Sequence, residues 1–427
     1  MRDIFIKPNI MLNAKGSCLA AFGNTKVLCT ASVEEGVPPF LRGSGQGWLT
    51  AEYAMLPAST NTRKRRDGVK RDSRGVEISR LIGRSLRQAV DLNKIGEHTI
   101  TIDCDVLQAD GGTRTAAITG GFVALCIALD KMMQEGKISQ NPIMRQVAAV
   151  SCGIVENRYR LDLDYSLDSN ASTDMNVVAD NNGHIIELQG TGEKQPFSRE
   201  DLNALIDMAY KGIRRIQFVQ QLVLSGQLKR IAIPCRLILS SQNKNKAKEI
   251  AAVLGKNFEV KTLAEAGFDA DIEETGDTFS QNAIIKAETA LKYTGLPSIA
   301  DDSGLAVEAL NGAPGIYSAR YAGVHGDDDK NNEKLLLNMQ GVKNRKAKFV
   351  CAVALAMPAD KTRVFTGELI GSIAEQKQGE NGFGYDPVLM LESGKTVAEI
   401  SSEEKNAISH RAAALSALKD YLNSLSL

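Results

Sequence analysis

A chain of 427 residues with 43% hydrophobic and 24% charged residues and 11 prolines excludes disordered or fibrous material, and its length predicts two domains, each able to bury a core. The 51 basic and 51 acidic residues cancel, which excludes a uniformly basic surface but leaves room for a local one. Seven scattered cysteines without CxxC spacing fit neither a disulfide framework nor a zinc site, and read as reduced buried thiols.

The segments 17–22 and 26–31 around Gly23-Asn24 predict a hairpin. The polar run 59–75 predicts a loop, and Ile78, Leu81, Ile82, Leu86, Ala89 and Val90 recur at helical spacing over 76–91, leaving Arg80, Arg84 and Arg87 together on the other face. Positive charge concentrates here, with ten Lys or Arg against three acids between Arg63 and Arg87. A strand over 99–106, a Gly111-Gly112 turn and a helix over 115–133, apolar on all sides, follow. Strands over 146–155 and 159–164 and a helix over 199–224 complete a first domain, 1–228. A linker over 229–235 leads to a second domain, 236–427. It opens as strand, polar turn and helix over 237–254, an α/β unit with its ligand at the turn, and continues with a helix over 278–293, strands over 298–300 and 348–357 and a last helix over 411–424. No apolar run suggests a signal peptide, and no stretch reaches the roughly 18 apolar residues of a membrane span. No membrane partner and a cytoplasmic location are therefore expected.

Gly111-Gly112-Thr113-Arg114-Thr115, between a strand and a helix, gathers backbone N–H groups, hydroxyls and a guanidinium, which suits phosphate. Downstream, Asp162, Asp164, Asp168 and Asp174 set four carboxylates within 13 residues in a strand-to-loop context, and carboxylates so placed can hold a hydrated Mg²⁺ beside substrate phosphates. Together they suggest phosphoryl transfer; solvated loop acids are the alternative. The stretches Gly45-Gln46-Gly47-Trp48-Leu49-Thr50-Ala51-Glu52-Tyr53, Asp103-Cys104-Asp105-Val106-Leu107-Gln108-Ala109-Asp110 leading into Gly111-Gly112-Thr113-Arg114, and Thr173-Asp174-Met175-Asn176 resemble ribonuclease PH, over residues 2–224. The resemblance implies a βαβ domain and a phosphorolytic 3′-5′ exoribonuclease, a nucleotidyltransferase that trims tRNA 3′ ends with inorganic phosphate as co-substrate and releases nucleoside diphosphates. It puts phosphate on Arg74, Gly112, Thr113 and Arg114, catalysis and metal on Asp168 and Asp174, and homo-oligomers in a hexameric ring. Arg63, Arg65 and Arg66 then become RNA-binding candidates. A non-catalytic RNA-binding or oligomerisation scaffold is the rival reading.

In the second half, Ser240-Ser241-Gln242-Asn243-Lys244-Asn245-Lys246 supplies hydroxyls, amides and ammonium groups at a helix start, but no Walker A loop. Asp301 and Asp302 follow Ile299-Ala300 and are expected at a strand end, while Asn282 and Lys286, four apart, share a helix face within reach of phosphate. These segments, with Glu273-Glu274-Thr275-Gly276-Asp277-Thr278, Ser303-Gly304-Leu305, Gly382-Phe383-Gly384-Tyr385-Asp386-Pro387 and Ser409-His410-Arg411, resemble the inosine triphosphate pyrophosphatase family, an α/β fold, over residues 236–425. The family's loop more often has Thr-Gly-Asn and another Gly where Ser241 to Lys246 stand. The resemblance implies Mg²⁺-dependent hydrolysis of purine nucleoside triphosphates such as ITP, dITP or XTP to monophosphate and pyrophosphate, with dimer contacts. It makes Asp302 the general base and a Mg²⁺ ligand, with Glu274 and Asp301 supporting the metal. It also gives substrate contacts to Ser241, Gln242, Asn243, Lys246, Asn282, Lys286, Ser303 and Lys405, chiefly at phosphates, and to Phe383, Gly384, Tyr385, Asp386, His410 and Arg411 at the base.

Overall fold

Alternating apolar residues build the first sheet. The computed structural model describes residues 1–66, 72–241, 244–268 and 270–425. In it β1 (Ile4–Pro8), β2 (Gly16–Phe22), β3 (Thr25–Glu35), β4 (Trp48–Met55) and β5 (His98–Gln108) assemble in the order β1-β2-β3-β5-β4. In β5 every second residue from Ile100 to Val106 is buried, the period of a sheet packed on one face. β2 and β3 form the expected hairpin, with Gly23 at φ 56° in its turn. β4 runs parallel to β5, so the chain between them must cross over, and α1 (Ser73–Arg87) does so. The Asp72 carboxylate caps α1 by accepting the Arg74 N–H, and Ile78, Leu81, Ile82 and Leu86 are buried beneath it.

The second sheet, β7-β6-β8-β9, contains β6 (Val147–Val155), β7 (Arg158–Leu161), β8 (Thr173–Asp180) and β9 (Ile185–Gly192), all antiparallel. Between the two sheets lies α2 (Thr113–Gln134), packed on β2, β3 and β6. Gly120 allows that approach, because a Cβ there would stand 2.7 Å from the Cys29 sulfur. α2 is long and apolar enough to cross a membrane, contrary to the expectation that no segment reaches that measure; 89% of its most apolar window is buried inside the protein, so strands occupy the place of lipid. α3 (Tyr165–Asn170) links β7 to β8, and α4 (Arg199–Ser225) starts at a Ser198/Asp201 capping box and covers β6. The expected linker begins well anchored: Lys229, Arg230 and Ile231 all donate backbone N–H groups to the Asp130 carboxylate. All seven cysteines are buried, and none is in a disulfide.

The chain divides into two compact units, Met1–Cys235 with Asn423–Leu427, and Arg236–Leu422. The second is built on β10 (Cys235–Leu239), α5 (Lys244–Leu254), β11 (Phe258–Thr262), α6 (Phe279–Thr294), β12 (Ser298–Val307), α7 (Asp328–Asn338), β13 (Lys346–Ala356), β14 (Arg363–Ile373), β15 (Leu389–Met390), α8 (Ser402–Ile408) and α9 (His410–Ser424). Its sheet order is β11-β10-β12-β13-β14-β15. β12 pairs with β10 in parallel only at Ser298 and Ile299, then continues beside antiparallel β13 as far as Val307. Beyond the end of β10 no strand pairs with this edge of β12 until the isolated bridge from Ala306 to Pro314, and such a gap is the kind of crevice in which α/β sheets bind ligands. Ala283 and Ala287 of α6 pack on Ala300, Ala352 and Ala354, and such small side chains let helix and sheet approach closely.

Candidate active sites

A cavity of about 710 Å³ in the first unit collects Arg74 from the first turn of α1, Gly112, Thr113 and Arg114 at the start of α2, Asp168 on α3 and Asp174 on β8. The turn before α2 needs glycine. Gly111 and Gly112 have φ of 71° and 65°, and a Cβ on Gly111 would lie 2.5 Å from the Leu163 carbonyl oxygen. Arg2 fixes this turn from behind: its guanidinium donates to Asp162 and to the carbonyls of Asp110 and Leu163. Thr113 shares a 2.8 Å hydrogen bond with the Tyr53 hydroxyl, and Arg114 donates to the Gln189 side chain at 3.1 Å.

Burial pushes the Asp168 carboxyl above its ordinary value and Asp174 adds to the push, while Arg114 and Arg74 pull it back. Asp174 Oδ1 is buried without a hydrogen-bond partner. Asp174 is in strand rather than loop, and Asp168 is on a short helix, which refines the expected strand-to-loop context. Of the basic run, Lys64 lines the cavity; Arg63, Arg65 and Arg66 are exposed and do not. Lys70 and Arg71 lie outside the described residues. Arg2, Tyr53 and Lys194 are site residues that sequence reasoning did not single out.

The second unit has two neighbouring cavities. The smaller, about 330 Å³, is lined by Ser241, Glu274, Lys286, Asp301, Asp271 and His325 among others. Lys286 Nζ donates to Glu274 at 2.8 Å and to Asp302 Oδ1 at 3.4 Å. Burial disfavours the Lys286 ammonium, but Asp302 and Glu274 outweigh it, and its pKa is raised. Burial also raises the Asp302 carboxyl; Lys286 lowers it and Glu274 raises it again. Asp302 Oδ2 is buried without a hydrogen-bond partner.

Three expectations change here. Asp301 and Asp302 sit inside a ten-residue strand rather than at its end. Alternation then separates them, since Asp302 meets Lys286 of α6 while Asp301 and Ser303 both meet Arg411 of α9, at 3.3 Å each. Neither Asn282 nor Asp302 is among the residues lining the two cavities; Asn282 is buried, its side-chain oxygen accepts the Gly276 N–H at 2.8 Å, and its side chain also hydrogen-bonds Asp302. Gln242 and Asn243, and the side chain of Lys246, lie outside the described residues.

The larger cavity, about 780 Å³, is lined by Ser303, Phe383, Gly384, Tyr385, Asp386, His410 and Arg411, and by Lys405. Arg411 thus borders it while holding Asp301 of the smaller one. Phe383 offers an exposed ring with the Lys405 ammonium 4.4 Å from its centroid, and Lys405 also pairs with the buried Asp386. Lys405 therefore stands with the aromatic group rather than beside Lys286. His410 stacks on Phe349 at 5.0 Å, and the Tyr385 hydroxyl donates to the Ser318 carbonyl. Asp328 accepts the Gly384 N–H at 2.7 Å and so shapes this wall.

Among the described residues no group of three or more His, Cys, Asp or Glu is placed to hold a metal. The expected trio Glu274, Asp301 and Asp302 is not gathered as one. A hydrated magnesium ion needs only one or two carboxylates beside substrate phosphates, and the unpartnered oxygens of Asp174 and Asp302 fit that requirement.

Both halves of the chain match known protein families. Residues 1–129 match domain 1 and residues 145–212 match domain 2 of the 3′ exoribonuclease family, and residues 237–421 match the Ham1 family. The chain is 56% identical over 228 residues to ribonuclease PH of Neisseria meningitidis, covering 53% of this chain and 94% of that protein. It is 45% identical to the Ham1 protein of Staphylococcus aureus, covering 44% of this chain and 98% of that one, with a TM-score of 0.43. A nucleoside-triphosphatase, dITP/XTP pyrophosphatase, of Mycobacterium abscessus is 44% identical over 43% of this chain and 98% of its own, with a TM-score of 0.40. The chain belongs, by its first half, to the ribonuclease PH family, and its residues 237–421 belong to the Ham1 family.

Proposed function

We propose that the first unit removes nucleotides from RNA 3′ ends, those of tRNA foremost, by phosphorolysis. Inorganic phosphate attacks the terminal phosphodiester, the bond to the preceding nucleotide's 3′ oxygen breaks, and a nucleoside diphosphate leaves. The presence of Arg74, Thr113, Arg114 and an unpartnered Asp174 in one cavity carries this reading. The two guanidiniums grip the attacking phosphate, α2 adds its N-terminal N–H groups, and position and charge do most of the work. Asp168 and Asp174 would hold Mg²⁺, which supplies neutralising charge at the phosphate being displaced. Arg63, Arg65 and Arg66 remain candidates to guide RNA toward the cavity, and a hexameric ring is the proposed assembly of this half. Phosphate-dependent release of nucleoside diphosphates from RNA tests the reading; RNA binding without such release would favour a scaffold.

The second unit is proposed to hydrolyse ITP, dITP or XTP to monophosphate and pyrophosphate. Lys286 between Glu274 and Asp302, in a cavity adjoining an aromatic one, carries this reading. Asp302 takes the proton of the attacking water, Lys286 and Ser241 hold phosphate oxygens, and Glu274 with Asp302 would hold Mg²⁺, which supplies charge to the triphosphate. Asp301 acts through Arg411, which it orients. Phe383 stacks on the purine, while Lys405, His410 and Arg411 offer donors suited to a 6-keto oxygen. Gln242, Asn243 and Lys246 stay proposed phosphate contacts, and dimer contacts are proposed for this half. Stoichiometric release of pyrophosphate from ITP tests the assignment. Both substrates point to the cytoplasm as the place of action.

A further inference from the structure

A second, smaller basic cavity lies in the first unit, away from the residues assigned above. It measures about 410 Å³ and is lined by Arg84, Arg87, Gln88, Arg145, His184 and Glu187 with two isoleucines. Three elements bring these groups together: the last turn of α1, the approach to β6, and the turn between β8 and β9. Arg87 lies flat, its guanidinium 4.8 Å from the Trp48 ring centroid and donating to the Leu49 carbonyl. Arg145 and His184 both lean on the Asp180 carboxylate, at 3.8 and 3.0 Å.

The acids do not cancel this charge. Asp180 is buried, and it accepts backbone N–H groups from Asn182 and His184, so its charge is largely committed to the turn. Glu187 pairs with Arg84 through a half-exposed guanidinium, and an ion pair so open to water holds its partners only weakly. Burial lowers the pKa of Arg87, and the neighbouring Arg84 lowers it further. An anion placed between the two guanidiniums would relieve that repulsion.

Position gives the anion its identity. Along β9, Glu187 meets Arg84, and Gln189, two residues on and on the same face, meets Arg114 of the catalytic cavity. Two residues of strand span about 7 Å. Along α1, Arg74 in the catalytic cavity and Arg84 here are separated by about 15 Å of helix, and exposed Arg80 lies between them on the stripe it shares with Arg84 and Arg87. A polyanion leaving the catalytic cavity over this surface meets guanidiniums along its way.

We propose that this cavity is a subsite for the phosphate backbone of single-stranded RNA, holding nucleotides upstream of a 3′ end in the catalytic cavity. The subsite rests on the exoribonuclease reading for its purpose, though its binding can be measured without it. It reads phosphates and not bases, since guanidiniums dominate its lining and the nearby Trp48 ring is already covered by Arg87.

The test is the double substitution Arg84→Gln, Arg145→Gln in the full chain, with oligoadenylates of about 4 and about 20 nucleotides, lengths that bracket a single-strand site. The expected result is a KM raised several-fold for the long RNA and unchanged for the short one, with kcat and the KM for phosphate unaltered. In direct binding of the long RNA, the slope of log affinity against log salt should fall by about 0.7 for each phosphate that is no longer neutralised. Equal effects on both lengths, or an unchanged salt slope, would overturn the subsite. A changed assembly mass without a length-dependent KM would assign the patch to contact between copies, and also overturn it. If the unaltered chain released no nucleoside diphosphate, the exoribonuclease reading would fail, while the salt slope would still decide whether RNA binds here.

Discussion

Arg2 and Asp162, 160 residues apart, are joined by three hydrogen bonds, from the Arg2 backbone N–H at 2.9 Å, Nε at 3.0 Å and Nη2 at 2.6 Å. The carboxylate is fully buried, and the same guanidinium reaches the Asp110 and Leu163 carbonyls that flank the Gly111-Gly112 turn. The phosphate turn is therefore held by the second residue of the chain. Replacing Arg2 by Met leaves a buried carboxylate without its cation, and should cost about 3–5 kcal/mol. Lysine cannot reproduce the planar fork, so Arg2→Lys should recover only part. Urea unfolding of the first unit, with the KM for phosphate beside it, measures both effects.

Lys286 and Glu274 act on Asp302 with opposite sign. The Asp302 carboxyl already sits above its ordinary value, so ITP hydrolysis, which needs it ionised, should fall on the acid side at a higher pH than a solvated aspartate would give. Lys286→Met removes the group that lowers it and should move that limb to still higher pH. Glu274→Gln removes a group that raises it and should move the limb to lower pH. Profiles of kcat/KM for ITP report these shifts; movement of both variants in one direction would refute the charge assignment.

Lys405 touches the ring of Phe383 and the carboxylate of Asp386, not the carboxylates around Lys286. Inorganic tripolyphosphate, which has no base, should therefore compete equally well against the unaltered chain and Lys405→Met. Lys286→Met should weaken the same competitor by about 10- to 100-fold, the value of one hydrogen bond to a charged group. ITP itself should bind more weakly to both variants.

The sequence made the regular parts of the fold legible because their apolar period is unbroken: the hairpin β2-β3, the amphipathic α1 and the uniformly apolar α2 appear close to where they were expected. β12 was cut short in sequence because Asp301-Asp302-Ser303 looks like a polar turn. Asp301 is accommodated in mid-strand with Arg411, 110 residues later, meeting it in the interior. Such a long-range partner leaves no local mark. The same holds for Asp168, raised on a six-residue helix whose short run carries no period, and for Lys405, which the resemblance puts at phosphate while its packing puts it beside an aromatic ring. Arg2 is the clearest omission, an ordinary terminal arginine until the fold brings Asp162 to it.

The two chemistries proposed for this chain are independent, each centred on an aspartate with an unpartnered buried oxygen. Both activities should be assayed on the full chain, Asp174→Asn and Asp302→Asn, as nucleoside diphosphate released from RNA with phosphate and pyrophosphate released from ITP. Asp174→Asn should lose the first activity by about 10²–10⁴-fold and keep the second, and Asp302→Asn should do the reverse. Loss of both activities in either variant, or survival of both in either, would show that the two sites do not work as assigned.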